Sequence, residues 1–319
     1  MKKLSGFPAR LAALLLCLAL LLAAFPAFAE NEKGDAFVFE DAVPQEYMNK
    51  RVPEKAGRVE RIRYMSKDYH GDGADVEKRA LVYLPWNYDE GEPCDVLILC
   101  HGVGGTESEW EFNELDTFSL TKNLTDHVFA DGSVKNLIIV MPNGRSTANY
   151  RDTSFANMYA FYDFGKELRN DLLPYLDAHY HTWGSLTPDD LSASRDHRAM
   201  AGLSMGGMQT INIGLCECLD LISAFGAFSA APTSNTAAQI ASNLKAFPED
   251  LGIRYFYSVC GLQDGTAYAA ASAAAKTKPA DSRLTEDNWH WQEVPGGHDM
   301  NIWRLGLYNF LRLLGSMQE

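Results

Sequence analysis

The hexapeptide Gly202-Leu203-Ser204-Met205-Gly206-Gly207 constrains the fold of this chain more than any other stretch. Residues 196–202 (DHRAMAG) read as a short strand and residues 207–219 (GMQTINIGLCECL) as a helix, so Ser204 falls at the turn between them. A G-x-S-x-G run in that context is the pattern of a nucleophile elbow, a strained strand-to-helix reversal that lifts one serine hydroxyl clear of a sheet. A side chain at position 202 or 206 would collide with the neighbouring strand or helix, which gives both glycines a mechanical reason.

Two further pieces follow in the chain order nucleophile, acid, histidine that an α/β-hydrolase uses. Residues 253–260 (IRYFYSVC) form a β-branched and aromatic run that ends in Gly261-Leu262-Gln263-Asp264-Gly265, placing Asp264 just past a strand end. Residues 289–294 (WHWQEV) alternate like another strand and end in Pro295-Gly296-Gly297-His298-Asp299, which puts His298 on a glycine-flexed loop over the same sheet edge. Ser204, Asp264 and His298 are therefore the expected catalytic residues. A serine hydroxyl is a weak nucleophile and must lose its proton as it attacks. His298 would take that proton and return it to the leaving alcohol, while Asp264 would fix the imidazole tautomer and stabilise the imidazolium.

The fourth piece is His101-Gly102-Val103-Gly104-Gly105, directly after the apolar run of residues 94–100 (CDVLILC), which suits a buried parallel strand. The backbone N–H groups of Val103 and Met205 are the expected oxyanion donors, each worth about 3 kcal/mol. His101 reads as a structural imidazole bonding loop backbone rather than as a catalytic group. Trp110, Tyr150 and Trp291 are the aromatic candidates for substrate binding, since all three lie near the loops that carry the chemistry.

With these pieces in place the chain resembles the feruloyl esterases of the first carbohydrate-esterase family, within the wider esterase D group. The likeness runs from about Arg79 to Leu314 and includes Tyr83-Leu84-Pro85, the 101–105 and 202–207 motifs, Ser229-Ala230-Ala231-Pro232, Cys260-Gly261 with Asp264, and Gly296-Gly297-His298-Asp299 with Asn301 and Trp303. The resemblance implies an α/β-hydrolase fold, a mostly parallel sheet with helices on both faces. It also implies a serine carboxylesterase that forms an acyl-enzyme and hydrolyses feruloyl, or hydroxycinnamoyl, esters on plant-wall xylan. Acetylxylan esterases, other esterase D-like hydrolases and acyltransferases share the scaffold and are the alternatives, with a non-enzymatic carbohydrate-binding role as a third reading. The partner is then a feruloylated or acetylated plant polysaccharide or oligosaccharide. No metal or organic cofactor is expected.

Lys2, Lys3 and Arg10 precede an apolar stretch over residues 11–24, and Ala27-Phe28-Ala29 gives a small-residue cleavage site. Residues 1–29 thus read as a secretory signal peptide, residues 30–57 as an N-terminal arm or linker, and residues 58–319 as the esterase domain. The expected location is extracellular or periplasmic, without membrane association once the leader is removed. A formal net charge of −14 argues against nucleic acid as a partner, because a polyanion would be repelled. Cys94, Cys100, Cys216, Cys218 and Cys260 read as buried free thiols rather than a disulfide framework. Phe161, Phe164, Leu168, Leu172 and Leu176 recur at helical spacing and mark a long core helix.

Overall fold

The computed structural model describes residues 37–88, 91–115 and 117–318. The leader expected over residues 1–29 lies outside the described residues. Phe39–Glu319 forms one compact unit; of the other, Met1–Val38, only residues 37 and 38 are described.

The compact unit is built on an eight-stranded sheet: β1 (Arg58–Lys67), β2 (Asp75–Leu84), β3 (Asp95–Cys100), β4 (Leu137–Pro142), β5 (Arg198–Leu203), β6 (Ala224–Phe228), β7 (Tyr255–Gly261) and β8 (Trp289–Val294). Their spatial order is β1-β2-β4-β3-β5-β6-β7-β8. β1 and β2 form an antiparallel pair, β2 meets β4 antiparallel, and every later pairing is parallel. This is the mostly parallel sheet of an α/β-hydrolase. The inner parallel strands β3 to β7 are largely apolar because both faces are covered, whereas the edge strand β8, WHWQEV, is only partly buried.

The helices are α1 (Gln45–Asn49), α2 (Leu120–Ala130), α3 (residues 164–179), α4 (residues 205–215), α5 (Ala237–Leu244), α6 (Tyr268–Thr277) and α7 (Met300–Ser316). Alternate residues along the strands sort into two cores. Val82, Ile98, Val140 and Met200 pack with Phe164, Leu168, Leu172 and Leu176 of α3 and with Ile211 and Ile213 of α4. Tyr83 faces the other way onto Phe129 of α2, and Phe228 faces Phe310 of α7. The long helix read from the 161–176 spacing is segmented: a 3-10 run over Phe155–Asp163, an α turn, a π segment at Leu168–Leu172 and a final α segment, Leu173–His179. Among the described residues no helix is long and apolar enough to cross a membrane.

Residues 39–57 lie along α2, α7 and β8. The Glu40 N–H donates to Asn309, Gln292 donates to the Glu40 carbonyl, Asn123 to the Met48 carbonyl and Lys55 to the Ala130 carbonyl. All five described cysteines are free and buried. Burial pushes the Cys94, Cys218 and Cys260 thiols up to about 12, so they behave as small apolar groups.

Candidate active site

β5 delivers the chain to Ser204, whose backbone is held at φ 51° and ψ −114°, a region that costs roughly 1–3 kcal/mol. Three backbone bonds keep it there: Ser204 N–H donates to the Phe228 carbonyl (3.0 Å), and the Ser204 carbonyl accepts from Met208 (3.0 Å) and Ala231 (2.9 Å). The flanking glycines are required by space. A Cβ on Gly202 would lie 2.5 Å from the Gly206 carbonyl carbon, and one on Gly206 would lie 2.4 Å from the Cys100 oxygen. After one α segment the elbow helix widens into a π turn at Thr210–Leu215.

The structure brings Ser204, His298 and Asp264 together. Ser204 Oγ lies 3.0 Å from His298 Nε2, and His298 Nδ1 lies 2.8 Å from Asp264 Oδ2. A carboxylate can only accept, so Nδ1 carries the hydrogen and Nε2 is left to accept from the serine. Burial works to raise the Asp264 carboxyl. It is outweighed by the Ala267 N–H and the His298 ring, so the group sits below the usual carboxylate range. Its Oδ1 accepts from the N–H groups of Thr266 (2.9 Å) and Ala267 (2.8 Å), the backbone that leads into α6.

The acid and histidine loops are tied to each other as well as to Ser204. Gln263 N–H donates to the Gly296 carbonyl (2.9 Å), and the Gly296 N–H donates to Gln263 Oε1 (2.8 Å). Gly296 has φ 150°, a conformation that favours glycine. The His298 ring stands edge-on to Trp303, with centroids 5.1 Å apart. Asp299 then caps α7 by accepting from the Asn301 N–H at 2.8 Å.

The loop after β3 is held from behind. Arg145 donates from Nη1 to the Gly105 carbonyl (2.9 Å) and from Nη2 to the Val103 carbonyl, and its guanidinium lies on the Phe161 ring. Gly102 N–H donates to Glu109 Oε2 at 2.6 Å. His101 donates from Nδ1 to the Gly102 carbonyl (2.7 Å) and accepts at Nε2 from Gly144 N–H (3.2 Å), which fixes its tautomer. Burial depresses that imidazole to about 3, so it stays neutral and structural. Within a trans peptide the N–H points opposite to the preceding C=O. The Gly102 and Val103 carbonyls turn inward, so the N–H groups of Val103 and Gly104 turn outward. The Val103 and Met205 amides donate to no other described residue.

The aromatic candidates are placed differently from one another. Trp110 is fully buried; its indole N–H donates to the Cys100 carbonyl (3.0 Å) and its ring meets the edge of Phe228, so it offers no surface to a substrate. Tyr150 is also buried, between the Lys78 ammonium and the Arg151 guanidinium. Trp291 is half-buried in the middle of the edge strand β8, its N–H on Glu293 at 2.9 Å. Met205 packs with the buried Phe161, Met208 and Ala231, and the partly exposed Val103 and Tyr162 lie on that cluster, so these two and Met205 are the apolar groups left facing the site. Tyr162 belongs to an aromatic-rich stretch, FANMYAFYD, whose composition was the available signal.

Two long-range charges beneath this region carried no local sequence signal. Lys78 of β2 and Glu167 of α3 are both wholly buried and paired at 2.9 Å. Lys78 also donates to the Asn143 and Arg145 carbonyls, and Glu167 accepts from Tyr64 (2.6 Å) and Ser146 (2.7 Å).

The Esterase family model matches residues 75–314. An endo-1,4-beta-xylanase Y of Acetivibrio thermocellus is 32% identical over 203 residues, covering 62% of this chain and 16% of that protein. An endo-1,4-beta-xylanase/feruloyl esterase of Xylanibacter ruminicola is 30% identical over 176 residues, covering 53% of this chain and 21% of that protein. The chain thus spans about a fifth or less of the length of these curated relatives. A mutant of the feruloyl esterase module from Clostridium thermocellum, solved with sinapinate, superposes with a TM-score of 0.66 at 26% identity, covering 87% of this chain and 95% of that one. With three quarters of its length matched, the chain belongs to the Esterase family, with the α/β-hydrolase fold of the esterase D-like feruloyl esterases.

Proposed function

We propose that the protein is a secreted serine esterase that releases hydroxycinnamoyl groups from feruloylated plant-wall xylan or its oligosaccharides. The observation that carries this reading is the unbroken relay from Ser204 Oγ through His298 to Asp264, beside the Val103 and Met205 amides, which donate to no described residue. Support for the acyl group comes from the sinapinate bound by the feruloyl esterase module. Support for the polysaccharide comes from the xylanase and the xylanase/feruloyl esterase to which this sequence is similar. Residues 1–29 would act as the export leader, 30–57 as an arm and 58–319 as the catalytic domain.

In this mechanism Ser204 Oγ attacks the ester carbonyl carbon while its proton passes to His298 Nε2. The carbonyl oxygen, now negative, accepts from Val103 and Met205 N–H. On collapse the bond to the sugar oxygen breaks, and His298 returns its proton to that oxygen. Water then attacks the acyl-serine with His298 again as base, freeing the hydroxycinnamate and restoring Ser204. Tyr162, Val103 and Met205 supply the apolar wall against which a planar acyl group can lie. Contact with that wall would orient the carbonyl before attack.

The test compares methyl ferulate with acetylated xylan for the wild type and for Ser204→Ala. Turnover by a folded Ser204→Ala protein should fall by about 10⁶-fold. Methyl ferulate should exceed acetyl esters in kcat/KM, and Tyr162→Ala should narrow the difference. Equal or better efficiency on acetylated xylan would replace the hydroxycinnamoyl assignment with deacetylation, and appreciable turnover without Ser204 would remove the mechanism itself.

A further inference from the structure

A cavity of about 340 Å³ lies away from the serine, between the sheet face carrying Phe256 and Ser258 and the helices α5 and α6. None of Ser204, His298 or Asp264 lines it. Its origin is legible in α6, YAAASAAAKT, whose methyl side chains are too short to reach the sheet. Only Ala275 of that helix is buried, and Ala271 and Ala274 face open space. One end of the chamber is an aromatic wall, Phe256 stacked on Trp289 with centroids 4.1 Å apart. The Trp289 N–H is already committed to the Ala275 carbonyl at 3.1 Å, which leaves ring surface and no donor.

The polar content is narrower still. No charged side chain lines the cavity, and four hydroxyls do. Three are engaged: Ser234 donates to the Ala231 carbonyl, Thr236 to Gln239 and Thr277 to the Ala273 carbonyl. Ser258, buried at 6% exposure in the middle of β7, has a hydroxyl that makes no hydrogen bond to another described residue. A chamber of this size is at the small end of ligand pockets, which run from about 300 to 1,000 Å³. Its lining would strip water from a charged guest without repayment, so an ionised carboxylate is excluded. A flat apolar body with a single hydrogen-bonding group matches both the aromatic wall and the one free hydroxyl.

We propose that this chamber binds a small uncharged phenol, its ring against Phe256 and Trp289 and its hydroxyl on Ser258. The site is separate from the ester chemistry, and its test reads binding rather than turnover.

The experiment titrates 4-fluorophenol, and fluorobenzene as the analogue without a hydroxyl, into the full chain and follows the fluorine resonance by NMR. The expected result is a saturable shift for 4-fluorophenol that Ala274→Phe and Ala271→Phe, two independent fillers of the chamber, each abolish. Ser258→Ala removes the hydroxyl while keeping the volume and should weaken 4-fluorophenol about three- to tenfold, the range one hydrogen bond contributes, while fluorobenzene is unaffected. No saturable shift in the wild type overturns the site, as does a shift that survives in a filler retaining a native circular dichroism spectrum. Unchanged 4-fluorophenol affinity in Ser258→Ala overturns the choice of a phenol, and it decides the matter alone should both fillers fail to fold.

Discussion

On the β1–β4 side of Ser204, the loop carrying Val103 rests on buried charge: Arg145 on two loop carbonyls, Glu109 on the Gly102 amide, and the Lys78–Glu167 pair beneath the Arg145 segment. On the β6–β8 side, Asp264 is held by backbone amides, the Gln263–Gly296 tie and a helix of alanines over open space. On the proposed mechanism, the contrast follows from what each side must aim. An oxyanion donor is a backbone N–H, with no side chain to steer it, so its peptide plane has to be fixed through the carbonyls of its neighbours. A carboxylate aims itself once its second oxygen is bound, and the space behind it can stay empty.

The largest effect that would sharpen this comparison is Asp264→Asn, expected to lower kcat about ten-thousand-fold with little change in KM, read from steady-state kinetics. The same change has a stability signature. The folded-state pKa of Asp264 is depressed, so its contribution is fully present above the unfolded pKa and is lost as pH falls through the folded value. Urea unfolding between pH 6 and about pH 2 should lose part of its acid-side slope in Asp264→Asn.

Next in size is Lys78→Met, which strands the Glu167 carboxylate in the core. A loss of about 3–5 kcal/mol in unfolding free energy is expected, and the double variant Lys78→Met/Glu167→Leu should recover much of it. A loss under 1 kcal/mol in the single variant would show that this side does not depend on charge, and the contrast would break.

Arg145→Gln is expected to reduce kcat by about a hundredfold, the lower edge of what losing one oxyanion donor costs, with KM nearly unchanged. Arg145→Lys should not restore it, because one ammonium cannot reproduce the guanidinium fork on two carbonyls. The smallest effect belongs to the other side. Ala271→Val adds methyls to open space and should raise stability by about 0.5–1 kcal/mol in thermal melts, with turnover unchanged.

The meeting of Ser204, His298 and Asp264 was legible in the sequence because each loop announces itself locally: a strand ends, glycines follow, and a polar residue sits at a fixed offset. Ser204, Asp264 and His298 all have that signature. Arg145 and Lys78 lack it, since each is defined by a partner far along the chain. Trp110 follows a glycine loop and so read as a rim residue, yet its indole fills the space under Cys100 and Phe228. α2 escaped notice for a related reason. Its buried face mixes Leu124, Val128 and Phe129 with Thr121, Lys122, Asn123, Thr125 and Asp126, the last held by Lys122, Tyr83 and Gly57, so polar residues dilute the apolar stripe. α5 did carry a signal, the Thr236–Gln239 capping box. The π segments of α3 and α4 depart from the 3.6-residue period on which the helix reading rested.

The buried thiols carry a consequence for how the protein is made. Every described cysteine sits inside the sheet or against it with its sulfur unbridged, so the described fold draws no stability from an oxidant. Such a chain can reach its native packing in a reducing cytosol as readily as outside the cell. In either setting the described fold is held by packing and hydrogen bonding, with no bridge among the described cysteines for a reductant to cut.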